Sequence, residues 1–172
     1  MSVSIYRPLF ILLPLLLSIL LSGCSEESAP TEKAGVAVQS FHLNPENQSE
    51  LIERLAGDYL ESSEKLTQQF LMSRKAEDAQ GFIRYRNESW TPEYMSRKEF
   101  YQQIQHLNKA YIYRHQLNGL FDSFMHLQKL SLHLKHSLQN SDSLLAEQVM
   151  VKLAEDQEIA ISYLSDFRPV RK

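Results

Sequence analysis

Residues 108–139 read NKAYIYRHQLNGLFDSFMHLQKLSLHLKHSLQ. Two readings compete in this stretch. Asn118-Gly119 has the composition of a left-handed helix stop, which would divide it into two helices. Against that, Ala110, Tyr113, Leu117, Leu120, Phe124, Leu127, Ser131, Leu134 and Leu138 step by three and four straight through the glycine, and eight of the nine are apolar. Such spacing marks a heptad seam on one helix face. No polar cap follows Gly119, and an interior glycine costs a helix only about 1 kcal/mol relative to alanine. The seam therefore predicts one long helix over about 96–139, with a bend allowed at Gly119. Two helices meeting there are the alternative.

The flanking sequence supplies the partners for that seam. Asn44-Pro45-Glu46 is a helix start: a capping side chain, a proline at the first helical position and an acidic first turn. Ile52, Leu55, Tyr59, Leu66 and Phe70 continue it at helical spacing, predicting a helix over about 45–78. Residues 79–95 (AQGFIRYRNESWTPEYM) break the pattern, with Gly81 and Pro92 as punctuation. Two helix starts compete at their end, Thr91-Pro92 and the capping box Ser96-Arg97-Lys98-Glu99. Asn140-Ser141-Asp142 is a break and restart, after which Leu145, Val149, Leu153, Ala160, Tyr163, Leu164 and Phe167 share a face. With 43% apolar residues, 23% charged residues, 5 Gly and 6 Pro, a disordered chain and a turn-rich all-β fold are both excluded. The expected fold is all-α, a three- or four-helix antiparallel bundle over 44–168, followed by a short tail at 169–172.

The first 24 residues differ from the rest. Arg7 is their only charge, and Pro8–Leu21 (PLFILLPLLLSILL) is nearly pure hydrocarbon, of the length of a secretory h-region and short for a membrane span. The run ends in Leu21-Ser22-Gly23-Cys24, which resembles the lipobox of bacterial lipoproteins: an aliphatic residue, two small residues, then cysteine. The resemblance covers only this leader. It implies a signal peptide at 1–23, cleavage before Cys24 and a covalent lipid on Cys24, with no other cofactor. Ser25 after the cysteine, rather than Asp, implies the outer membrane and a periplasm-facing domain. Two or more acyl chains hold a protein stably on a bilayer. Loss of Arg7 takes the net charge from −3 to −4, so the lipid rather than overall charge would do the membrane work. Residues 24–43 read as lipidated cysteine plus flexible tether, with a typical span of roughly 20–27 Å.

Three groups of residues are candidates for chemistry. His133 and His136, three apart, could share a metal, but Lys129 lies on the same polar face and they rank only as weak candidates. Asp156 falls on the apolar face of the last helix and needs a buried partner, with Arg114, His115 or a tyrosine hydroxyl in reach of a bundle geometry. Phe82, Arg84, Tyr85, Arg86, Trp90 and Tyr94 combine the residue types enriched at binding hot spots and are the partner-binding candidates. No phosphate loop, nucleophile elbow, Cys/His pair or dinucleotide fingerprint is present, and the composition has no nucleic-acid footprint. The sequence thus points to a non-enzymatic, lipid-anchored helical module that binds or escorts an envelope protein. By expected architecture alone it resembles helical pilotin lipoproteins, which escort outer-membrane secretins. A periplasmic sensor or inhibitor binding a small ligand or metal, and a self-associating envelope lipoprotein, are the alternatives.

Overall fold

A computed structural model describes residues 41–167. The leader, Cys24, most of the tether and the tail 169–172 lie outside the described residues. The described chain is all-α: α1 (Gln48–Lys75), α2 (Ala79–Tyr85), α3 (Thr91–Leu107), α4 (Lys109–Arg114), α5 (Asn118–Gln139) and α6 (Ser143–Asp166). A π-turn, Arg86–Trp90, joins α2 to α3 with helical dihedrals at both junctions, so 79–107 is one continuous rod. Cross-contacts fix the directions. Trp90 bonds to Ser62 and Tyr101 to Asp58, so the rod runs antiparallel to α1. Gln157 bonds to Ser63 while Leu164 lies against Ile52, and Asp156 bonds to Ser123 while Tyr163 lies against Gly119, so α6 runs antiparallel to both α1 and α5. The result is an up-down-up-down four-helix bundle in which α1 and α5 touch each other and both pack on the rod and on α6.

The expected helix over 96–139 is helical along most of its length, and helix runs through Gly119 as the seam requires. The stretch also doubles back on itself, which the one-helix reading did not provide for. It pauses at Asn108 and reverses at His115–Leu117, so α3 and α5 lie side by side and antiparallel. The helix stop is at Gln116, which takes the left-handed conformation at φ 56°. Leu117 N–H bonds to Ile112 C=O at 2.9 Å and Gln116 N–H to Tyr113 C=O at 3.2 Å. Those two bonds are a Schellman motif, and Ile112 and Leu117 are its buried apolar pair. Gly119 serves a different purpose. A Cβ there would meet the Tyr163 hydroxyl at 3.4 Å, and that hydroxyl donates to Gln116 C=O across the turn.

The same motif ends α1 and α5. Glu77 and Ser141 are left-handed, and Asp78 and Asp142 N–H groups bond back to Ser73 and Ser137 carbonyls at 2.9 and 2.8 Å. Each aspartate then caps the following helix, accepting from Gly81 N–H at 2.8 Å and Leu145 N–H at 2.9 Å. The expected restart at Asn140-Ser141-Asp142 is therefore present. The start expected at Asn44 is instead a turn over 45–47, whose Asn44 side chain accepts from Glu46 and Asn47 N–H around Pro45, and α1 begins after it at Gln48. The break expected at 79–95 is absent. Pro92 lacks an N–H and its ring crowds the carbonyl four residues back. The wide turn before it accommodates this, with Thr91 N–H reaching Arg86 C=O five residues away. Neither competing helix start is used, and the Ser96 hydroxyl simply bonds back to Glu93 C=O.

Folded structure begins earlier than expected. Leu43 is buried, and Asn108 brackets the incoming chain. The Asn108 carboxamide oxygen accepts Leu43 N–H at 2.8 Å, and its nitrogen donates to Phe41 C=O at 3.0 Å and Ile104 C=O at 2.9 Å. Docked chain thus begins at Phe41 rather than at the expected residue 44. At the core, Trp90 stacks on Tyr94 (centroids 4.8 Å apart, planes 7° apart), Tyr94 on Phe124, and Tyr101 meets Phe124 edge-on at 5.0 Å. The left-handed glutamine identifies a stabilising change. Gln116→Gly relieves a side chain in a conformation that costs about 1–2 kcal/mol, partly offset by glycine's greater freedom when unfolded, for a net gain of about 1 kcal/mol. Urea denaturation measures it, and a loss of stability would contradict the assigned turn.

Candidate functional site

The aromatic–arginine stretch sits mainly inside the bundle. Phe82, Trp90 and Tyr94 are core residues, because 82–94 is helix rather than loop and these positions repeat on its inner face. They cannot serve as exposed partner-binding side chains in this fold. The Trp90 indole N–H donates to Ser62 C=O at 2.9 Å, and the Tyr94 hydroxyl to Phe124 C=O at 2.8 Å. Arg86 is also buried. Its Nε donates to Ser131 Oγ at 3.0 Å and Nη1 to Asn87 Oδ1 at 2.9 Å, and burial lowers its pKa. Tyr85 is half-buried, and Arg84 alone of the six is exposed.

Asp156 is buried as expected, at 2% exposure, but with different partners. Its Oδ1 accepts from Ser123 Oγ at 3.2 Å and from Lys152 Nζ at 3.0 Å. Lys152 lies one turn away on the same helix, and its stem carries the ammonium out to water. Asp156 raises the Lys152 pKa through that hydrogen bond. The second oxygen of Asp156 and the buried hydroxyl of Tyr59 have no hydrogen-bond partner among the described residues. Burial, and then the Asp156 charge, push the Tyr59 phenol far above its ordinary 10.0. Arg114 and His115 take no part. The reversal at Gln116 puts them on exposed α4 and its cap, out of reach of Asp156.

His133 is half-buried and His136 exposed, both on α5. No group of three or more His, Cys, Asp or Glu residues is arranged to hold a metal among the described residues. An open groove of about 770 Å³ lies at the α3–α4–α5 corner. Gln102, Gln103, His106, Leu107, Lys109 and Tyr113 line it.

Two surfaces were not singled out by the sequence. One is the outer face of α6, where Leu144 is 64% and Val151 54% exposed, with Ile161 exposed farther along the helix. The other is the α4 corner, with Leu107 42% and Tyr113 63% exposed. The signals were there: Leu144, Val151 and Ile161 lie off the stripe that packs inward, and no Asp or Glu occurs between Glu99 and Asp122. Comparison with known protein families, with curated proteins and with solved structures finds no match to this chain.

The polar layer supplies a test. Tyr59→Phe removes a buried hydroxyl without a partner, so stability holds or rises by up to about 1 kcal/mol, whereas Ser123→Ala costs about 1 kcal/mol by loosening Asp156. Chemical denaturation of both variants reads the difference. A clear loss in Tyr59→Phe would mean that the phenol bonds to Asp156 in solution.

Proposed function

We propose that this chain is a lipid-anchored helical binding module, held on the periplasmic face of the outer membrane and tethering or escorting an envelope protein. The carrying observation is the lipobox sequence Leu21-Ser22-Gly23-Cys24 placed only 17 residues before docked chain at Phe41. A flexible segment of that length has a typical span of roughly 20–25 Å, so a lipid on Cys24 would keep the bundle beside the bilayer. Tethering of this kind raises the local concentration of a binding surface without adding any contact to it.

The outer face of α6 is the surface best suited to a protein partner. Large aliphatic side chains are exposed on an otherwise folded helix, flanked by Glu147, Glu155 and Glu158. An apolar strip rimmed by charge is the pattern of a helix-packing contact. The same strip favours a second reading, self-association of the anchored domain through α6. A metal- or ligand-sensing role has less support, because His106 lines the open groove while His133 and His136 lie on α5 away from it.

Cross-linking in intact envelopes tests the proposal. The wild-type chain yields one defined envelope protein, and Leu144→Glu/Val151→Glu loses it while leaving the domain folded. Cys24→Ser abolishes incorporation of labelled palmitate and lowers the same cross-link. Recovery of self-cross-links alone would replace the adaptor with the self-associating form. A Cys24→Ser chain that is still lipidated would overturn the anchor.

A further inference from the structure

The anchor reading leaves open which part of the bundle meets the membrane, and the fold bears on it. Asn108 clamps Phe41 and Leu43, so the chain from Cys24 arrives at the junction of α3 and α4. The same corner is chemically unlike the rest of this acidic protein. From Phe100 to Phe121 there is no Asp or Glu, and Lys109 and Arg114 are the charged residues, with His106 and His115 beside them. All four are exposed, and neither Lys109 nor Arg114 makes an ion pair among the described residues. Between them stand the exposed Tyr113 and Leu107.

Helix α4 presents these groups on a fixed support. Ile112 is buried on its inner side. The Tyr111 hydroxyl donates to Gln48 Oε1 at 2.6 Å and its ring stacks on His115 at 4.1 Å, tying α4 to the start of α1. Asn108 on one side and the Gln116 turn on the other fix its ends. Tyr113 and Leu107 therefore point outward because the rest of the corner is pinned.

We propose, on the basis of the lipid-anchored reading above, that the α3–α4 corner docks on an anionic phospholipid surface. Tyr113 and Leu107 enter the headgroup boundary, and Lys109 and Arg114 pair with lipid phosphates. Three observations converge on this occupant: the tethered chain enters at this corner, the corner is positive within a chain of net charge −3, and an amphipathic aromatic projects between the cations. Tyrosine with flanking Lys and Arg is the composition of an interfacial contact. Two cations bind weakly by themselves, and a tether that holds the corner within tens of ångströms of the bilayer converts a weak contact into a populated one. The acidic start of α1 limits the contact. Glu46, Glu50 and Glu53 are exposed at the same end, and Glu53 lies on the side facing Leu164 of α6 and the Phe167 that caps it. The bundle accordingly rests on the α4 corner rather than on its whole end. Glu99, which lines the groove, and Asp122 of α5 mark the edge of the contact.

The test uses the full lipidated chain in vesicles, with a spin label at Ala110→Cys on α4 or at Glu147→Cys near the opposite pole. Flotation reports the anchor, and collision with oxygen or a water-soluble nickel chelate reports depth. In phosphatidylglycerol-containing vesicles the label at 110 is shielded from the chelate and the label at 147 is not. In pure phosphatidylcholine the label at 110 returns toward water. Lys109→Glu/Arg114→Glu lowers the ratio of docked to undocked protein by about thirtyfold or more, and added salt does the same in the wild type. Flotation with a water-exposed 110 label in both lipids would overturn the docking and leave the anchor standing. Shielding equal in both lipids would overturn the role of the cations. A chain that does not float would overturn the anchor and the docking together.

Discussion

The chain reversal between Asn108 and Leu117 is the constraint on which the bundle depends. Ten residues turn the end of α3 into the start of α5, and two side chains set the geometry. Asn108 ends α3 and, through its carboxamide, receives the incoming segment at Phe41 and Leu43. Gln116 takes the left-handed position that closes α4. Only with that reversal can Tyr94 and Tyr101 of α3 both meet Phe124 of α5. The aromatic core is a consequence of the turn as much as a cause of it.

Polar contacts then refine what the apolar core permits. Arg97 meets Asp58, Glu61 and Glu93 at 2.7–3.4 Å, and Lys65 joins Glu61 and Glu93, along the α1–α3 seam. These groups are partly in water, and such pairs contribute little each. Their use is to set the register of the rod against α1. The Asp156–Ser123–Lys152 cluster is different in kind. It places a carboxylate among apolar side chains at the α5–α6 contact and leaves one oxygen without a partner among the described residues, so it favours one pairing of those helices at the expense of stability.

Much of this fold was legible in the sequence where local chemistry is strong. Asn44-Pro45 marks the turn that leads into α1 and Ser141-Asp142 places a helix end, because in each a side chain directly satisfies backbone N–H groups. The seam from Leu117 to Leu138 marks the buried face of α5, and helix passes through Gly119. Ala110 and Tyr113 continue the spacing by coincidence, since they lie on α4 and face outward. The stop at Gln116 was not legible, because glutamine seldom takes the left-handed conformation and its only marks are the Ile112–Leu117 pair. Pro92 also misled, since a π-turn absorbs the proline that otherwise announces a boundary. That one misreading moved Phe82, Trp90 and Tyr94 from the core to a supposed surface. The surfaces left unpartnered on α6 and α4 became visible only once the tertiary packing had assigned every other apolar residue to the interior.

Asn108 locks the segment from Phe41 to Leu43 onto the bundle, so that the point where the chain enters α1 and the α4 corner are one rigid place. Amide hydrogen exchange at Leu43 tests it most directly. Bracketing by the Asn108 carboxamide predicts slow exchange of the Leu43 N–H in the native chain. In Asn108→Ala that protection is lost, while the amides of α1, α5 and α6 keep theirs. Exchange of Leu43 at an unstructured-chain rate in the native protein would contradict the account, because the segment ahead of α1 would then be a loose arm not held at the α4 corner.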